Sequence, residues 1–449
     1  MQGLPGAAAL SPAGLLASLG LFFLLAVAGR RLSGAAGSAS RVSGALTGLV
    51  AFHLLVTFLD AVGVRWSRAL LLVPPALVLI LASRYLPRPP AGARLPSRLG
   101  WGDGLALFAL AVFTLLALTA WTATPDFVFH WGVKGHRFFL ARGVDYAYLA
   151  QPWHGTIHPD YPNLMPELFA ATALLAGRFD VSGMMLWTGI FFALLLAGVC
   201  ETLREAGSGP FYRQAGVALV ALPAAAVGTG YLMAGAADWM IALAVVAAMP
   251  ALLRPPDRAG DFEVGVAAAF AAASKIEGVP LAGFLVLVHL ARRLRADRRL
   301  DPGAVLRLVL PPAAVGLPWL ARALHHGLLQ STNSGGFEIS RAGLIASALL
   351  EVLRVPAWHG FILAVLLPPL LLLHARVRAV AMVVSLQLLF DLYVYFTAPV
   401  DTRFYVLSSF ARLAFQVVPA ILVATVVALE HPAPPKAKAG GVTRRPVQG

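Results

Sequence analysis

The sequence predicts an all-α, polytopic membrane protein with about 13 transmembrane helices. Three observations carry that expectation. Of 449 residues, 59% are hydrophobic and 12% are charged, with a mean hydropathy of +0.77. A soluble chain of this length cannot hide so much apolar surface, so lipid must be part of its solvent. Apolar runs of roughly 16–20 residues recur from end to end, the length that crosses a bilayer as a helix. Basic residues gather in the short hydrophilic gaps between those runs, which marks cytoplasmic loops. Because these residues follow no single helix face, the net charge of +14 does not point to a nucleic-acid partner. The single cysteine, Cys200, leaves no intrachain disulfide and no cysteine metal cluster.

The first run, 12–29, has no Lys or Arg before it and Arg30 and Arg31 after it. It reads as a retained helix with its N-terminus outside. Runs 44–63 and 69–86 complete a three-span unit over residues 1–100. The span 104–123 opens a core of residues 101–430, continued by 183–200, 214–230, 238–253, 263–274, 279–291, 304–324, 358–374, 378–396 and 405–428. Segments 164–177 and 344–353 are too short to cross and read as re-entrant or interfacial helices. Residues 431–449 read as a disordered basic tail. With the N-terminus outside, the inner gaps and this tail collect 23 of the 35 basic residues, so the C-terminus is expected in the cytoplasm. The long loop 124–182 then lies outside, as do the segments around Asp238, Lys275, 325–341 and Arg403. Loops of that length are more often functional than spacers.

Several polar residues sit where lipid should exclude them. In Ser-Lys-Ile-Glu-Gly, 274–278, the short flanking runs place Lys275 and Glu277 below the membrane surface, tolerated only inside protein or a watery cavity. Their plain reading is a self-neutralising pair; the functional one has one of them facing a ligand. Asp238 opens a short helix, where a carboxylate either caps free N–H groups or forms a polar wall for a sugar or phosphate. Ser408, Arg412 and Gln416 share a helix face. Arg412 either bridges to Asp391 at similar depth or, with Arg403, holds a lipid phosphate. Asp126 follows directly on a span, on anchored backbone that suits a general base. His154 and His158 are four apart, but Gly155 and Pro159 argue against the helix a metal pair would need. Trp121, Trp131 and Trp153 read as interfacial anchors.

An Asp after a span, then HWGVKGHRFFLARG and IHPDYPNLMP, resembles the first external loop of GT-C superfamily membrane glycosyltransferases. The nearer likeness is to the bacterial proteins related to protein O-mannosyltransferases and lipid A aminoarabinose transferases. SKIEG and the late SSFARLAFQVVP resemble two further elements of that group, in the same order. The resemblance implies a GT-C-like fold and transfer of a sugar from a polyprenyl phosphate to a glycan, lipid or protein acceptor. It places the reaction on the outer face of a bacterial inner membrane, with a divalent cation on the donor phosphate left open. Carried over, Asp126 is the base, and Lys275, Arg403 and Arg412 hold the donor phosphate. His130, Lys134, His158, Asp160, Tyr161, Asp238 and Glu277 shape the loop or hold sugar and acceptor. Two departures bear on this. Phe127 stands where many relatives carry a second acid, which leaves Asp145 and Asp160 as alternative bases. Asp126 also follows the fourth span rather than the first, which implies an N-terminal addition. A secondary transporter and a noncatalytic polysaccharide-export subunit are the rival readings. The first would show matching broken helices in two halves; the second would tolerate loss of Asp126.

Overall fold

The structure, a computed structural model, describes residues 10–90, 99–119, 123–151, 157–231, 233–299, 301–329, 335–355 and 361–432. Trp121, Trp153, His154 and the tail 433–449 lie outside the described residues. The chain runs through helices α1 (Pro12–Ala35), α2 (Arg41–Ala61), α3 (Arg68–Tyr85), α4 (Trp101–Leu118), α5 (Gly132–Ala141), α6 (Tyr146–Leu149), α7 (Leu164–Ala176), α8 (Val181–Glu205) and α9 (Pro210–Gly230). It continues as α10 (Asp238–Leu253), α11 (Arg258–Ser274), α12 (Gly278–Asp297), α13 (Pro302–His325), α14 (Ala342–Leu353), α15 (Pro368–Leu372), α16 (Arg378–Thr397) and α17 (Thr402–Glu430). Among the described residues there is no strand, only an isolated bridge between Ala123 and Ala234.

Nine helices among the described residues are long and apolar enough to cross a membrane: α1–α4, α8, α9, α13, α16 and α17. The protein is an all-α membrane protein. The other four expected spans differ for separate reasons. α10 has 16 residues, roughly 24 Å at 1.5 Å per residue, and is buried from Asp238 to Leu252. Such a helix, apolar all round, is the centre of a bundle rather than a lipid-facing wall. α11 and α12 extend further toward the Arg254 end than the apolar runs suggested, to Arg258 and Asp297; the polar first turn of α11 and the polar last turns of α12 hid the extension from hydropathy. The start of the 358–374 segment lies outside the described residues, and from Phe361 the chain forms a 3-10 turn, Phe361–Leu366, and then the short α15. α7 is buried from Leu164 to Leu174, so it lies within the bundle and not along its surface.

α1 and α2 meet through small residues. A Cβ on Gly48 would stand 2.0 Å from the Leu25 carbonyl oxygen, and one on Gly29 2.2 Å from that of Gly44. Backbones this close leave no room for a methyl group, as in other membrane helix pairs. Gly48→Ala is therefore expected to lower stability by about 1–3 kcal/mol. Gly20→Ala, with nothing within 4 Å, should leave thermal unfolding in detergent unchanged. Equal melting of the two variants would refute this contact.

Candidate functional site

The site begins with a stitch between two distant segments. The Thr124 amide donates to the Ala234 carbonyl at 2.9 Å, and the Gly235 amide donates to Thr188 Oγ1 at 2.8 Å. Gly235 has φ +80°, and a Cβ there would meet the Phe127 side chain at 2.9 Å, so only glycine fits. The stitch sets Asp126 beside the start of α10. Asp126 then leads into a π-helical turn, Phe127–Trp131, a rare geometry frequent at functional sites.

Asp238, fully buried, is the centre of the cluster. Its Oδ1 accepts from Gln416 Nε2 at 2.7 Å and Lys275 Nζ at 3.2 Å, and its Oδ2 from Arg412 Nη2 at 2.9 Å. It makes no side-chain helix cap; its oxygens serve side chains from α17 and from the break between α11 and α12. The same Arg412 Nη2 donates to Asp126 Oδ2. Lys275, in extended backbone after α11, also pairs with Glu277 at 3.1 Å. Residues from four remote segments thus form one network. Two cations face three carboxylates in it, yet Arg412 spends only Nη2 on them, and its Nε is buried without a partner. An uncommitted guanidinium edge in a low-dielectric place suits an anion's oxygens.

The loop supplies a wall of imidazoles and aromatics. His130 Nε2 faces Asp126 Oδ1 at 3.8 Å. The His130 and His158 rings stand 4.7 Å apart, and His158 stacks on Tyr161 at 4.4 Å. Lys134 is buried, donates to the His158 carbonyl at 2.5 Å, and lies over the Trp131 ring at 5.4 Å. Through that bond it holds His158 at φ 49°, a left-handed conformation uncommon outside glycine. Burial pulls Lys134 down to about 7, His130 to about 4 and His158 to about 3. Burial alone would raise the Asp126 carboxyl, but the Arg412 guanidinium overcomes it and holds the group below its ordinary value. Asp160 is raised by burial.

These shifts give a pH dependence with a definite sign. Both histidines fold as neutral rings with pKa values below their unfolded 6.5. Their contribution is whole above that value and is lost as the pH falls from 6.5 through about 4 for His130 and about 3 for His158. Melting temperature should drop across that window. The double variant His130→Gln, His158→Asn should flatten the slope; an unchanged slope would mean the rings are solvated.

The structure brings Asp126, His130, Lys275, Glu277, Asp238 and Arg412 together, with Lys134, His158, Asp160 and Tyr161 in the adjoining wall. It does not bring Arg403, which pairs at the surface with Glu351 at 2.8 Å, half exposed. Nor does the expected Asp391–Arg412 bridge form: Asp391 accepts from Gln387 at 3.0 Å, and its other oxygen is without a partner. Lys275 and Glu277 do pair, but Asp238 shares the lysine. Asp145 caps α6 and pairs with Arg137 at 2.6 Å, so it is committed to structure. Ser408, exposed, bonds the Tyr405 carbonyl instead of the cluster. Gln416 shares the Arg412 face, as its spacing predicts, and its role as an Asp238 ligand emerges only from the packing. Sequence also gave no warning of a joint between α2, the loop and α13. There His53 bonds Glu167 at 2.6 Å, and Asp60 takes Tyr146 at 2.8 Å and Arg322 at 3.1 Å. A histidine and an acid in the second apolar run were the available signal.

Beside the cluster, an apolar groove of about 510 Å³ runs between α12 and α13, lined by Ile276, Val279, Ala282, Pro312 and Trp319 among others. Ile276 lies between Lys275 and Glu277 in the chain, so the groove touches the turn that carries them, although neither charged side chain lines it. Among the described residues, no three His, Cys, Asp or Glu side chains are grouped to hold a metal ion.

Fold and site define a polytopic helical membrane protein with a buried ion-pair network at one end of its central helices. Compared with models of known protein families, with curated proteins and with solved structures, the chain matches none.

Proposed function

We propose that the protein is a GT-C-like membrane glycosyltransferase that moves a sugar from a polyprenyl-phosphate donor to a hydroxyl acceptor, with inversion. The observation that carries this reading is the meeting of Asp126, Lys275 and Arg412 in one network, with an apolar groove beside the turn that carries Lys275. The groove offers a place for the polyprenyl chain. The free edge of Arg412 and the third N–H of Lys275 offer donors for the phosphate. As the phosphate engages Arg412, Asp126 is released from its partner beside the reacting carbon. There it accepts the proton of the attacking hydroxyl. The new C–O bond forms as the bond to the phosphate oxygen breaks, and that oxygen leaves with the electron pair, its charge met by the two cations. Around 13 crossings, an outer-face site, inner-membrane residence and a cytoplasmic C-terminus belong to this proposal.

The test is transfer by the purified protein in nanodiscs, supplied with radiolabelled hexosyl- and pentosyl-phosphate polyprenols and an envelope extract. Label should move to an acceptor while polyprenyl phosphate is released. No release from either donor class would end the proposal. The transporter reading draws on titratable groups in apolar helices that make no hydrogen bond to the cluster, His53 with Glu167 and the half-partnered Asp391. Solute uptake by proteoliposomes without donor turnover would favour it.

A further inference from the structure

A cavity of about 380 Å³ stands at the other end of α10 and α11 from the Asp238 cluster, roughly 24 Å away along the helices. Its walls come from the α1–α2 link, the end of α8 and the α10–α11 link. Much of its charge is committed. Glu201 accepts from Ser40 Oγ at 2.6 Å and the Arg41 amide at 2.9 Å. Glu263 accepts from Ser38 at 2.7 Å and Arg254 at 2.7 Å, and Asp257 caps Gly260 at 2.6 Å. The guanidinium groups of Arg41 and Arg204 and the carboxylate of Glu205 line the same cavity with no hydrogen bond or ion pair among the described residues.

We propose that this cavity holds the head group of a zwitterionic phospholipid, its phosphate on Arg41 and Arg204 and its ammonium on Glu205. Two guanidinium groups match phosphate oxygens, and an adjacent carboxylate matches an ammonium. Four acids and three arginines line the space, so a head group with net negative charge would meet an unfavourable surplus, while a zwitterion meets both signs. The cavity also lies level with the ends of α1, α8 and α10 and the starts of α2 and α11, the height at which head groups meet a spanning bundle.

Native mass spectrometry of the full chain, in mild detergent with equal phosphatidylethanolamine and phosphatidylglycerol, tests this. One phosphatidylethanolamine should be retained, preferred about tenfold. Arg41→Ala with Arg204→Ala should lose retention, and Glu205→Gln should lose only the preference. Arg298→Ala with Arg299→Ala, on another exposed basic stretch, should change neither, and thermal melts should show all variants folded. Equal retention by wild type and the Arg41, Arg204 variant would overturn the proposal. Equal binding of phosphatidylglycerol would do so too. Displacement of the lipid by an equal concentration of soluble phosphoethanolamine would overturn it in favour of a small phosphate ester.

Discussion

Asp126→Asn is expected to reduce sugar transfer by about 10²–10⁴-fold or more, the usual scale for removing a positioned general base. The substitution keeps the side chain's shape and its hydrogen-bonding oxygen, and Arg412 retains Asp238 as a partner. Folding and donor binding should therefore survive while turnover does not, a fall in kcat with KM nearly unchanged. The wild-type pH profile should add a second signature. With the Asp126 carboxyl held below its ordinary 3.8 and both neighbouring histidines already neutral above about 4, no acidic limb should arise from them near neutrality. Asp160→Asn is the comparison, because Asp160 is the other acid left in contention. Its carboxyl is raised by burial, and one oxygen is buried without a partner. Should Asp160→Asn silence the reaction and Asp126→Asn spare it, the roles assigned to the two acids reverse.

The long spans were legible because hydropathy reports burial in lipid or in protein alike. For that same reason hydropathy could not separate a crossing helix from α10, which is apolar on every side because helices surround it. Depth was legible as well, since 1.5 Å per residue fixes how far a group lies from a helix end. Azimuth was not. Asp391 and Arg412 match in height, yet Arg412 turns toward α10 while Asp391 bonds Gln387 on its own helix. Arg403 shows the same limit from another side: near Arg412 in sequence, it lies on the surface beside α14. The short motifs fared better. Lys275 and Glu277 had to be buried together because the backbone breaks there, and the break is where α11 and α12 turn. No local pattern announced that Asp238 would take both Lys275 and Arg412, because that arises from packing α10 against α11 and α17.

Arg412→Met should produce the largest loss of stability. It leaves Asp126, Asp238 and Glu277 facing Lys275 alone, so the network goes from one surplus negative charge to two. Breaking a buried pair from one side costs about 3–5 kcal/mol, because the abandoned carboxylates stay desolvated. The lower part of that range applies, since the Arg412 side chain is 25% exposed. If the network is the cause, removing a carboxylate along with the cation should recover much of the loss. Arg412→Met with Asp238→Asn restores the original single surplus charge and should regain at least about 1 kcal/mol. Arg412→Met with Asp391→Leu tests the other pairing, and because Asp391 makes no bond to Arg412 its effect should add to the first without recovery. The measurement is a double-mutant cycle of thermal unfolding in one detergent. Rescue by Asp391→Leu and none by Asp238→Asn would mean that Arg412 points to α16, and the network around Asp238 would have to be redrawn.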